Sequence, residues 1–192
     1  MNKIGLLICF LMVVGLSVSA QKLSGDITPL KGQKEVNVVL DFSGTLVNGK
    51  AEEIYISKET NGKTEIEKEK WLSEWNENLR TESYNFLISG LQKGLGEKVL
   101  WIGEHKDAEY TIDVKVRNIT TGHSTIISKP SSIKAEVFII KTGEQTPIAT
   151  IEFKNSCNGV SASFSNFVYR IAFSFATLGY DIGRIINNKM EK

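Results

Sequence analysis

The stretch from Phe164 to Ile185 constrains the fold more than any other part of the chain. Phe164, Phe167, Val168, Ile171, Phe175, Leu178, Ile182 and Ile185 recur at three- and four-residue steps, the period of a helix with one buried side. Ala172, Ala176, Gly179 and Gly183 form a second stripe of small residues. Small side chains let a helix backbone come close to its neighbour. Arg170, Asp181 and Arg184 interrupt the surface, which argues against a membrane span and for tight packing on a sheet. A partner or interfacial helix is the alternative.

The remaining periodicity is mixed. Val36, Val38 and Leu40 alternate with Glu35, Asn37 and Val39 and end at Asp41-Phe42, a strand with both faces partly covered. Tyr110, Ile112, Val114 and Val116 alternate with Thr111, Asp113, Lys115 and Arg117, a strand with one wet face. Ile133 to Ile140 and Ile148 to Phe153 flank Lys141-Thr142-Gly143-Glu144 as a hairpin. Val99 to Ile102 is a short strand, and Thr120 to Ser132 a long loop.

Charges alternate closely from Ala51 to Lys70, broken by Asn61-Gly62, and read as a solvated face. Helical character follows with Trp71, Leu72, Trp75 and Leu79, then Tyr84, Leu87, Leu91 and Leu95. Thr81-Glu82-Ser83 offers a restart after a kink, and Gly94 and Gly96 end the helix. The pattern predicts an α+β fold, a largely antiparallel sheet of four or five strands packed on two main helices, the longest at the C-terminus.

The N-terminus reads as a targeting segment. Lys3 precedes an apolar run from Ile4 to Leu16, and Val18 and Ala20 are the small residues a signal peptidase requires. The run is shorter than the roughly 20 apolar residues of a membrane span. Cleavage after Ala20 gives three segments: signal peptide 1–20, mobile leader 21–34, and one α/β domain over 35–192. Cys9 lacks the small preceding residue of a lipoprotein signal, since Ile8 stands there.

The formal net charge of +1 falls to 0 when Lys3 is removed. A neutral chain lacks the basic surface that phosphate backbones reward, so nucleic acid is not an expected partner. Cys157 is the one cysteine left after cleavage; it is either buried or pairs between chains.

Val38 to Val47, VVLDFSGTLV, looks like the first motif of the haloacid dehalogenase-like phosphatases. Asp41 matches the nucleophile. Ser43 stands where the general acid belongs, and a hydroxyl does not replace a carboxylate that donates a proton near neutral pH. The antiparallel strand series expected after Ile102 also differs from that family's parallel sheet. His105 and His123 lie in different segments without ligands at metal spacing. No catalytic, cofactor-binding or metal residue is therefore assigned. Asn118-Ile119-Thr120 has the form of a glycosylation sequon. Trp71, Trp75 and Trp101 are either core or a glycan-binding groove.

One layout gathers these segments: a first strand ending in Asp41-Phe42-Ser43, Trp71 and Trp75, Phe86, the strand 110–116, a hairpin, and a long helix carrying Leu178-Gly179-Tyr180-Asp181-Ile182-Gly183. It resembles uncharacterised exported proteins of Bacteroidota-type bacteria. Their layout is similar to the small α/β domain of the curli-secretion channel lipoprotein and of the Tol-system propeller protein N-terminus. The resemblance spans most of residues 35–190. It implies a periplasmic or extracellular, non-enzymatic interaction or assembly domain that binds an envelope protein through a strand edge or the small-residue helix face. A phosphatase using Asp41 and a glycan-binding module are the alternatives.

Overall fold

The computed structural model describes residues 21–96, 101–123, 129–153, 157–158 and 166–190; the expected signal peptide lies outside them. The strands are β1 (Gln21–Gly25), β2 (Glu35–Asp41), β3 (Leu46–Val47), β4 (Lys50–Ala51), β5 (Trp101–Gly103), β6 (Tyr110–Thr120), β7 (Ser132–Lys141), β8 (Pro147–Phe153) and β9 (Cys157–Asn158). The helices are α1 (Glu52–Thr60), α2 (Glu65–Ser73), α3 (Leu79–Leu95) and α4 (Phe167–Met190). The chain is thus an α+β assembly whose longest helix is C-terminal.

The sheet is larger than expected and mixed. Its main path runs β1-β8-β7-β6-β2-β5, with β3, β4 and β9 attached beside it. The hairpin β7–β8 forms as anticipated. However, β2 is parallel to both its neighbours, β5 and β6. Helices α1 to α3 supply the crossover from β2 to β5 that parallel pairing demands. The second crossover is short: residues 104–109 stride over β2 from β5 on one side to β6 on the other.

Residues 21–34 are not a loose leader. Strand β1 pairs antiparallel with β8 from Gln21↔Phe153 to Gly25↔Ala149. A short 3-10 turn, Thr28–Leu30, then buries Leu30 and the preceding Ile27 in the core. Polar composition hid this strand, because Leu23 alone faces the core side opposite Ile151.

Each long strand buries alternate residues. Val36 and Val38, Ile112, Val114 and Val116, Ile133, Val137 and Ile139, and Ile151 share one face and join the helices in a single buried cluster. That burial is the main stabilising term, about 1.5–3 kcal/mol per large aliphatic side chain.

The small-residue stripe of α4 faces α3, not the sheet and not a partner. A Cβ on Gly179 would run into the Leu87 carbonyl oxygen, and one on Gly90 into that of Ala176. Gly94 therefore lies inside α3 as a packing position, while Gly96, at φ 71°, ends the helix. Thr81 to Ser83 continue the helix without a kink; the irregularity is a π turn at Glu74–Asn78 between α2 and α3. The charged run after Ala51 forms α1 and the start of α2, where Thr64 and Glu67 make a capping box. Among the described residues, no helix is long and apolar enough to cross a membrane.

Candidate functional site

Helices cover one side of the sheet, and strand alternation turns a second set of side chains to the other. Register places that set in rows. Lys22, Glu152, Glu136, Lys115 and Asp41 stand opposite one another across β1, β8, β7, β6 and β2. The next row is Ser24, Thr150, Phe138, Asp113 and Val39. Beyond it come Ile140 and Thr111, paired, then Asn37. This face is open in its middle: Val39 is 42% exposed, and Phe138, Ile140 and Thr150 are half-buried.

Charges on the face are partly paired. Arg117, at the β6 bulge, donates to Glu136 at 2.6 and 3.0 Å. Lys115 lies 3.7 Å from Asp113 and over the Phe138 ring at 5.5 Å. A cleft of about 390 Å³ opens there between Asp113, Lys115, Phe138, Ile140 and Glu144. Burial pushes the Asp113 carboxyl above its usual range, and Asp41 adds to this while Lys115 opposes it. Asp113 Oδ1 is buried and has no hydrogen-bond partner among the described residues, a costly state for a carboxylate oxygen.

Asp41 sits on the same face at the end of β2. Ser43, through its hydroxyl and its backbone N–H, holds the Asp41 carboxyl below the usual carboxylate range, with Lys115 and Arg117 adding to the effect. The Ser43 N–H donates to Asp41 Oδ1 at 2.7 Å, so Ser43 braces a turn rather than supplying an acid. The chain then rejoins β6: Thr45 Oγ1 donates to the Val116 carbonyl at 2.9 Å, and β3 pairs with Asn118 and Ile119. The Asp-Phe-Ser-Gly-Thr run is thus an excursion within one continuing sheet edge.

The histidines stay apart. The His105 backbone N–H donates to Asn37 Oδ1 at 3.1 Å, while His123 pairs through its backbone with Lys129 beyond the far end of β6. Among the described residues, no group of three metal-ligating side chains converges. Cys157 lies in β9 opposite Ile133. Asn118 Oδ1 accepts from the Gly49 N–H, and its Nδ2 donates to Thr120.

The tryptophans of the helices are core. Trp75 is fully buried and stacks on Trp71 at 5.5 Å, with Tyr55 and Phe167 packed around them. Two of the three tryptophans are therefore not an exposed glycan platform. Trp75 Nε1–H donates to Glu52 at 2.6 Å, and Glu52 also pairs with Arg80, whose guanidinium lies over Phe42. A second cleft, about 570 Å³, lies beside Phe42, Arg80, Tyr84 and Glu104. Burial, then Glu104, pushes the Tyr84 hydroxyl up to about 12.

Sequence reasoning passed over Asn37, Asp113 and Arg80. The one available signal was Asp113, the acid on the polar side of the clearest strand.

No family model matches the sequence, and no curated protein matches it. Among solved structures, two PelC dodecamers from Paraburkholderia phytofirmans are similar in chain course. One has a TM-score of 0.40 at 9% identity, covering 86% of this chain and 97% of that chain. The other has a TM-score of 0.39 at 11% identity, covering 83% and 94%. Likeness at this level assigns no function.

Proposed function

We propose that this chain is an exported, non-enzymatic interaction module of the bacterial envelope, released from its signal peptide at Gln21. The supporting observation is the uncovered sheet face. A sheet that buries one side under α3 and α4 leaves Val39, Phe138, Ile140 and Thr150 on the other, ringed by charged groups. Apolar residues at the centre of a patch with a charged rim are the anatomy of a protein-docking surface. The small-residue face of α4 is spent on α3, so contact falls to the sheet.

A photo-crosslinking residue at Thr150, introduced in the producing bacterium, tests this. The expected result is protein adducts in the envelope fraction, on a chain beginning at Gln21. An intact chain carrying Met1 in the cytosol, or a probe that captures no protein, overturns the reading.

A further inference from the structure

The open face carries an order of charges that complements itself. Across the five strands the row reads Lys22, Glu152, Glu136, Lys115, Asp41, with β7 at its centre. Turned end for end about Glu136, it sets Lys22 against Asp41 and Glu152 against Lys115. We propose that the occupant of this face is a second copy of the chain, related by a two-fold axis lying between the sheets and parallel to β7. This rests on the reading of the open face as a docking surface and names its partner.

The neighbouring row fits the same operation. Phe138 lies at its centre and meets its own copy. Thr150 and Asp113 stand one strand to either side, so each Thr150 hydroxyl comes opposite the Asp113 of the other chain. Ile140, also on β7, meets its copy in the row beyond. A two-fold interface uses one patch twice and must be self-complementary in this way.

Two contacts oppose it. Glu136 meets Glu136, but each carboxylate is already bridged by its own Arg117 at 2.6 Å. Lys134, exposed and two residues further along β7, meets its copy near the rim, where a long stem carries its charge to water. Packed sheets also twist by about 30° and lie about 10 Å apart, so the match is closest near β7 and looser at Lys22 and Asp41. Five strands about 4.8 Å apart and two open rows about 7 Å apart, with Ile140 beyond them, give on the order of 400 Å² of flat sheet per copy, since Thr111 and Asn37 in the third row are buried. That lies at the low end of specific interfaces and implies a concentration-dependent dimer.

The pairing of Glu152 with Lys115 gives the test. Lys115→Glu alone sets four acids against one another across the axis; Glu152→Lys alone sets four lysines. Each variant on its own loses about tenfold or more in self-association by sedimentation velocity, the loss growing at low salt. Mixed together, the two variants restore both contacts and form a heterodimer near wild-type affinity. Thermal melts check that each variant folds. Phe138→Cys in a Cys157→Ser background, with the new thiols facing each other near the axis, gives a second readout: a dimer linked by a short bis-maleimide reagent, where Val39→Cys in the same background gives none.

A wild-type chain that stays monomeric up to about 100 μM, about −5.5 kcal/mol of association, overturns the proposal. So does a dimer that neither charge variant disturbs. If adducts to other proteins still form at Thr150 in the producing cell, the docking reading survives and the second copy alone is rejected.

Discussion

Gly94 of α3 and Gly183 of α4 face each other backbone to backbone: a Cβ on either would stand 3.0 Å from the main chain of the other. Each would also strike a carbonyl, of Tyr180 for Gly94 and of Leu91 for Gly183. Alanine gains up to about 1 kcal/mol in helix propensity at such positions, but overpacking against rigid backbone outweighs it. Gly94→Ala and Gly183→Ala are each expected to cost about 2–3 kcal/mol in urea unfolding. Gly103→Ala is the control, since its Cβ would first meet the His105 side chain, at 3.4 Å; it should cost less than about 1 kcal/mol.

Asn37 holds the stride across β2. Its Oδ1 accepts the His105 N–H, and its Nδ2 donates to Thr111 Oγ1 at 3.2 Å, with the side chain buried. Asn37→Ala removes one bond from each partner, while the His105 N–H keeps the Gly103 carbonyl and Thr111 Oγ1 keeps Thr142, and should destabilise by about 1 kcal/mol. Hydrogen exchange at the His105 amide should accelerate with it; a protected His105 amide in the variant contradicts the assignment.

Asp113 links stability to pH. Its folded pKa lies above the ordinary value of 3.8. The native state therefore holds its proton more tightly, and stability falls as pH rises from about 3.8 through the folded pKa. Asp113→Asn should raise the Tm at pH 7 and lose that advantage below pH 4. Asp41 has the opposite sign, stabilising above its unfolded pKa and losing this as pH falls, and is common to both proteins. Lys115 and Arg117 are the cations facing Asp113. Melting both proteins in dilute solution from pH 3 to 8 measures the difference.

Asp41 closes a turn and is not expected to act as a nucleophile. With Mg²⁺ and an aryl phosphate, wild type and Asp41→Asn should release phosphate at one background rate. Asp41→Ala, which removes the acceptor for the Ser43 N–H, should cost about 1 kcal/mol in stability. Asn retains an acceptor oxygen there and should cost less.

The long periodic elements were legible. The strand over 110–116, the β7–β8 hairpin and the C-terminal helix follow from apolar spacing alone, and the small-residue stripe was right about close approach. Its target was not legible, because Gly94, which packs against it, also reads as a helix-ending signal. Parallel pairing around β2 left no trace either: β5 has three residues, and β3 and β4 have two each, too short for a period of two to register. The candidate site was least legible of all. Lys22, Glu152, Glu136, Lys115 and Asp41 are scattered ordinary surface charges until register sets them side by side.

The pairing of Gln21 with Phe153 has a kinetic consequence. The sheet cannot close until segments more than a hundred positions apart have met, and α3 must likewise await α4. Chains dominated by such remote closures fold slowly, since the entropy of looping is spent before contacts reward it. The polypeptide is therefore expected to remain unfolded longer after synthesis than a chain of the same length built from local contacts.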